Sequence, residues 1–180
     1  MSKNILVISS SPRKDGNSEI LCDQFIMGAK ETGNRIEKIS LREQEINCCT
    51  ACYACMENGG QCILNDDMEQ ILEKMIQTDV IVLATPVYFY SMSAQLKMVI
   101  DRTIAKYTKI KNKEFYFIVT AATKNKATLK RTIEGLRGFT DWMEGCIERG
   151  VIYGTGAREK GEIKDTAAMK QAYNMGKSVI

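Results

Sequence analysis

Three nearly uninterrupted apolar runs of strand length constrain this chain most: Ile5-Leu6-Val7-Ile8, Val80-Ile81-Val82-Leu83-Ala84 and Phe115-Tyr116-Phe117-Ile118-Val119. A strand with one wetted face alternates polar and apolar residues, so runs without alternation predict strands buried on both faces. A shorter run, Val151-Ile152-Tyr153, and a mixed one, Arg35 to Leu41 with Ile36, Ile39 and Leu41 among charges, predict the sheet edges. Between the runs, apolar residues recur at helical spacing: Leu21, Phe25 and Ala29; Met68, Ile71, Leu72, Met75 and Ile76; Leu96, Val99, Ile100 and Ile104; Leu129, Ile133 and Leu136, with Trp142 beyond. Asn17 or Ser18, Asp66 and Ser93 stand where helix caps belong. A last helix is predicted over 166–177, with Ala168, Met169, Ala172 and Tyr173 on one face.

Strand and helix alternating five times predict an α/β class fold, doubly wound, with a parallel sheet, right-handed crossovers and helices on both faces. A polar second strand favours the order 2-1-3-4-5. In such sheets a ligand binds beyond the carboxyl ends of strands one and three, where the winding reverses. The length suits a single domain, 1–180, with a cysteine-rich loop at 47–64.

Composition narrows the chemistry. The chain has no His, which removes Ser-His-Asp and Cys-His nucleophiles and every His-ligated metal or haem site. Its net charge of +3 is small, and basic residues are interspersed with acidic ones, so no nucleic-acid partner is expected. Met1-Ser2-Lys3-Asn4 runs straight into the first apolar run without signal-peptide organisation, and no apolar stretch is long enough for a bilayer. A cytoplasmic location follows as an expectation, with no membrane partner. The seven Cys are then expected to be thiols, metal ligands or redox groups rather than structural disulfides.

Two loops flank the expected crevice, and each holds one of the chain's two prolines, Pro12 and Pro86. After strand one comes Ser9-Ser10-Ser11-Pro12-Arg13-Lys14-Asp15-Gly16-Asn17-Ser18, opening into a helix. Hydroxyls, cations, a turn glycine and the free N–H groups of a helix start are what a phosphate needs, and a plain polar turn is the weaker reading. Neither a P-loop nor a dinucleotide fingerprint is present, since Gly154-Thr155-Gly156 is followed by Glu159 where the third glycine belongs. After strand three comes Thr85-Pro86-Val87-Tyr88-Phe89-Tyr90-Ser91-Met92-Ser93. Three aromatics at a strand end suit a planar heteroaromatic ligand or packing over the sheet and a subunit contact.

The third feature is Cys48-Cys49-Thr50-Ala51-Cys52-Tyr53-Ala54-Cys55, closed by Cys62. Read from Cys49 the spacing is C-x2-C-x2-C-x6-C, and Cys49, Cys52, Cys55 and Cys62 offer four thiolates of the kind that ligate a [4Fe–4S] cluster. Zinc, a C-x2-C redox pair and free thiols stay open as alternatives, and Cys48 competes with Cys49. Cys22 and Cys146 are expected on helices as small core residues, and Trp142 as core or interface. Asp66 and Asp67 suit a helix start better than an acid–base pair, since adjacent side chains diverge.

Ser-Ser-Pro-Arg-x-x-Gly-Asn-Ser, the cysteine cluster ending in Asp66-Asp67-Met68, Thr85-Pro86-Val87-Tyr88, and Gly161-Glu162-Ile163-Lys164 together resemble the NADPH-dependent FMN reductase and iron-sulfur flavoprotein family. The resemblance covers nearly the whole chain. It implies a flavodoxin-like fold and FMN, with Ser9, Ser11, Arg13, Asn17 and Ser18 holding the phosphate. It also implies that Pro86, Val87, Tyr88, Phe89, Tyr90 and Ser91 line the isoalloxazine ring, with a further contact from Thr120 to Thr123. No catalytic side chain is required, because the flavin carries the chemistry. The implied activity is an FMN-dependent oxidoreductase moving electrons from NAD(P)H or a reduced ferredoxin to a quinone, free flavin or oxygen species. A non-enzymatic electron-transfer carrier is the main alternative, and a thiol-based redox or metal sensor is the third. Apolar surface around the crevice implies a homodimer or homotetramer.

Overall fold

The computed structural model describes residues 2–180. Five parallel strands form one sheet in the order β2-β1-β3-β4-β5: β1 (Asn4–Ser9), β2 (Arg35–Ser40), β3 (Val80–Pro86), β4 (Glu114–Ala121) and β5 (Ile147–Thr155). All four neighbouring pairs are parallel, as the unbroken apolar runs require. The helices are α1 (Asn17–Glu31), α2 (Ala54–Glu57), α3 (Met68–Gln77), α4 (Ala94–Arg102), α5 (Lys130–Thr140) and α6 (Ala167–Lys177).

Successive side chains of a strand point to opposite faces, and the apolar runs divide accordingly. Leu6, Ile8, Ile81, Leu83, Phe115, Phe117 and Val119 face α3, α4 and α5. Ile5, Val7, Val80, Val82, Ala84, Tyr116 and Ile118 face α1 and α6. The helical stripes match these cores: Leu21, Phe25 and Ala29 of α1, and Met68, Ile71, Leu72 and Met75 of α3, are all buried. At about 25 cal/mol per Å² of apolar area, each large buried side chain contributes about 2 kcal/mol before entropy is subtracted.

Several expectations are corrected. β5 starts at Ile147, not Val151, because Glu148 and Arg149 are carried on an exposed edge and neutralised by Arg137 and Glu114. Charges on such an edge oppose pairing with another sheet. α1 is capped by Gly16, and Asn17 is its first residue. Asp67 precedes α3, while Asp66 accepts the Met68 N–H at 3.2 Å. Only Ser93 caps as expected, accepting from Leu96 N–H at 3.4 Å. Trp142 lies past the end of α5 and is 74% exposed, so it is not core. Cys146 sits in the turn before β5 rather than on a helix, whereas Cys22 is wholly buried in α1, where burial raises its thiol pKa to about 12. Among the described residues, no helix is long and apolar enough to cross a membrane.

Candidate functional site

Hydroxyls lock the loops after β1 and β3 together at the carboxyl end of the sheet. Ser10 donates both its N–H (2.9 Å) and its Oγ–H (2.8 Å) to the Ala84 carbonyl. Ser93 Oγ lies 2.9 Å from Ser10 Oγ, and Thr85 Oγ1 accepts the Ser93 N–H at 2.9 Å. All three residues are essentially inaccessible to solvent. The reversal point of the sheet is therefore tied together by the protein's own hydrogen bonds.

A cavity of about 220 Å³ opens beside this lock, walled by Ser11, Arg13, Gly16 to Ser18, Pro86 to Tyr88, Thr120 to Ala122, Ala157 and Arg158. Its floor is the start of α1. Among the described residues, no acceptor meets the backbone N–H groups of Asn17, Ser18 and Glu19, the ordinary condition of a helix N-terminus and a standing attraction for an anion. Ser18 Oγ is buried without a hydrogen-bond partner in the same wall. A Cβ at Gly16 would lie 2.3 Å from Ser11 Oγ and 3.0 Å from the Arg13 carbonyl, so only glycine permits this tight approach. Arg13 reaches across the mouth to the Arg158 carbonyl at 3.2 Å. Glu19 is turned away: burial opposes its ionisation, but Arg42 and Lys38 hold its carboxyl below the usual range.

The expected binding residues separate into groups. Ser11, Arg13, Asn17, Ser18, Pro86, Val87 and Tyr88 share the cavity wall. Ser9 is fully buried at the end of β1 and lines no part of that wall. Asn17 spends its amide as a staple, donating to the Ala157 and Glu159 carbonyls and accepting from Gly161 N–H, which fastens the β5–α6 loop over the crevice. Phe89, Tyr90 and Ser91 stand outside the cavity on a tight turn closed by reciprocal Tyr88–Ser91 hydrogen bonds of 2.9 Å. Phe89 and Tyr90 adopt φ of 48° and 64°, uncommon for bulky side chains, and Phe89 is fully exposed. Thr132 Oγ1 donates to the Tyr90 carbonyl at 3.0 Å and Arg131 stacks on the Tyr90 ring, so α5 braces this turn. Ala157 and Arg158 were not foreseen, since they come from a loop far away in sequence, whereas Gly16 is the turn glycine that the sequence offered.

A second cavity, of about 400 Å³, lies at the C-terminal end of α4. Cys49, Cys52, Cys55 and Cys62 all line it, facing Asp101, Arg102 and Ile104. Cys48 does not. The short α2 and the left-handed Ala51 and Tyr53 (φ 53° and 57°) turn the chain so that the x2-spaced thiols face one space. Among the described residues, no three Cys, Asp or Glu side chains meet closely enough to hold a single ion. Four thiols around one shared volume suit a polynuclear cluster in kind and number. Hydrogen bonds from Ala54 N–H and Thr50 lower the Cys52 pKa, while burial and the neighbouring Cys62 raise that of Cys55. At the rim, burial opposes the charge of Asp66, yet Arg102 and the Asn47 and Met68 N–H groups bring its pKa to about 2.

Residues 3–147 match the family described as NADPH-dependent FMN reductase. An iron-sulfur flavoprotein of Methanocaldococcus jannaschii is 34% identical over 184 positions, covering 97% of this chain and 94% of that protein. An iron-sulfur flavoprotein of Methanosarcina thermophila is 34% identical over 76% of this chain and 70% of its own. Among solved structures, an NAD(P)H:quinone oxidoreductase from Methanothermobacter marburgensis superposes with TM-score 0.78 at 13% identity, covering 98% and 96% of the two chains. The Trp repressor binding protein of Bacillus subtilis gives 0.71 at 24%, covering 96% and 99%. At those identities the structural likeness speaks for the shared fold alone. The sequence matches go further, and the chain belongs to the NADPH-dependent FMN reductase family of flavoprotein oxidoreductases.

Proposed function

We propose that this protein takes electrons from NAD(P)H or a reduced carrier through FMN and delivers them to a small acceptor such as a quinone, free flavin or oxygen species. In this reading Cys49, Cys52, Cys55 and Cys62 hold a [4Fe–4S] cluster as a second redox centre. One observation carries the reading: Ser93, the N-cap of α4, is hydrogen-bonded to Ser10 in the lock beside the phosphate cradle, and Asp101 and Arg102 at the other end of that helix line the four-thiol cavity. Nine helical residues span about 14 Å. When bound, FMN supplies hydride and single-electron transfer and the cluster single-electron transfer.

The chain's own part is binding and orientation. The open N–H groups of α1, Ser18 Oγ–H and Arg13 hold the phosphate without protein rearrangement. The cavity of about 220 Å³ is open on one side and smaller than a typical ligand pocket, so the phosphate end enters it and the ring rests against Pro86, Val87 and Tyr88 at its mouth. The absence of His is no handicap, because hydride transfer to and from a flavin needs no protein acid or base. Free thiols throughout suit a cytoplasmic setting. The exposed Tyr88, Phe89 and Tyr90 favour assembly into a homodimer or homotetramer that covers them. The same rim favours the second reading, an electron-transfer carrier that docks other proteins.

The test is an absorption spectrum with iron and acid-labile sulfide analysis on protein purified without oxygen, followed by NAD(P)H oxidation with a quinone. Flavin with about four iron per chain and nicotinamide turnover supports the proposal. Flavin without iron removes the cluster. Exchange with ferredoxin without nicotinamide turnover selects the carrier.

A further inference from the structure

The last turn of α4 carries a guanidinium where the apolar stripe has no place for one. The side chains of Arg102 and Asp66 are each only 2% exposed. Their pairing is bidentate, Nη1 to Oδ2 at 2.7 Å and Nη2 to Oδ1 at 3.0 Å, and uses one N–H from each terminal nitrogen. The other N–H of Nη1 goes to the Asn47 carbonyl at 2.8 Å, and that of Nη2 to Cys62 Sγ at 3.4 Å. Asn47 immediately precedes the first cysteine of the loop and Cys62 is the last. One buried side chain therefore ties both ends of the cysteine loop to α4.

A strut would need the carboxylate and the carbonyl. It would not need a donor on sulfur. Asp66 balances the charge of the guanidinium, so what remains directed at the half-buried Cys62 is an oriented N–H dipole from a buried side chain. Hydrogen bonds to ligating sulfurs are one of the ways a protein sets an iron–sulfur potential, because reduction adds negative charge that such a donor stabilises. The neighbouring backbone contact is equally close: Gly60, at φ 94°, would place a Cβ 2.6 Å from the Ala105 carbonyl, so the loop is pressed onto the chain just beyond α4.

We infer that Arg102 is the positioning residue of the cysteine loop, holding Asn47 and Cys62 on the end of α4 and raising the reduction potential of the cluster through its N–H bond to Cys62 Sγ. The inference rests on the cluster reading proposed above. It is tested by redox titration of the iron–sulfur signal in anaerobically prepared wild type, Arg102→Gln and Asp66→Asn, with FMN content as the measure of folding. Arg102→Gln is expected to lower the reduced-to-oxidised ratio at a given potential by about tenfold, about 59 mV for one electron. Asp66→Asn, which leaves the guanidinium unbalanced, is expected to shift it the opposite way. Equal midpoints in all three proteins overturn the inference while leaving the cluster in place. If Arg102→Gln keeps FMN but loses iron, Arg102→Lys is titrated instead. Loss of iron from both also overturns the tuning role, since Arg102 is then a strut only. Wild type without iron overturns the cluster reading, and this inference with it.

Discussion

The crevice at the carboxyl ends of β1 and β3 and the cysteine loop are both tied to α4, the first through its cap Ser93 and the second through its last residue Arg102, yet they are built in opposite ways. The crevice is made from the ends of β1, β3 and β4, with backbone N–H groups as donors and Ser10, Thr85 and Ser93 buried between its walls. The thiol cavity is made from side chains on a loop in which Cys48, Cys49 and Cys52 are exposed, and it is fixed by Arg102, Asp66 and the close approach of Gly60. A site of backbone donors at a sheet end inherits the stability of the whole core. A site of side chains on a loop depends on a few contacts and on whatever it binds, because metal binding and local folding are then one process.

The comparison breaks hardest at the ligands. Cys55→Ser should remove the iron altogether while FMN content stays at the wild-type level, whereas Cys48→Ser should leave iron unchanged, since Cys48 lies outside the cavity. Iron and flavin analysis of both variants decides between Cys48 and Cys49 as well. On the other side, Gly16→Val fills the phosphate cradle, and FMN affinity followed by fluorescence should fall by roughly a hundredfold or more, about 3 kcal/mol. Retention of tight binding would mean that the phosphate lies elsewhere.

Asp66 sharpens the contrast through pH. Its pKa of about 2 in the folded protein lies below the ordinary aspartate value of 3.8. A depressed carboxylate stabilises the fold fully above 3.8 and loses that contribution as pH falls towards 2, here about 2 kcal/mol. Thermal unfolding of the wild type should therefore weaken across that window, and Asp66→Asn should flatten it. Ser18→Ala should cost about tenfold in FMN affinity, about 1.4 kcal/mol, while slightly raising the melting temperature of the flavin-free protein. Opposite signs follow because an unpartnered buried hydroxyl is a liability until a phosphate arrives. Smallest of all, Thr132→Val frees the Tyr90 carbonyl and should change quinone-linked turnover by a few-fold at most, on the order of 1 kcal/mol.

The sheet was legible because Val80 to Ala84 and Phe115 to Val119 admit no wetted face, and the strand order follows from the charged β2. The boundaries of β5 were not, because Glu148 and Arg149 look like loop residues until Arg137 and Glu114 are seen beside them. Asn17 shows the limit for the site. Its side chain reads as a cap or a phosphate contact, yet it fastens Ala157, Glu159 and Gly161, more than a hundred residues away. Arg102 gave no signal at all: one basic residue in a helix is ordinarily a solvated one, and only the position of Asp66 makes it a buried clamp.

What the chain determines by itself is what local pattern and spacing encode: strands buried on both faces, amphipathic helices, a glycine and free N–H groups at a helix start, and four thiols at cluster spacing. Which of those groups meet was decided only by the tertiary structure. Hydrophobic periodicity acts over a few residues and is indifferent to partners. Hydrogen bonds and ion pairs such as Arg102 with Asp66, Asn47 and Cys62 exist only once the sheet has brought distant loops within reach and excluded the water that would otherwise satisfy them.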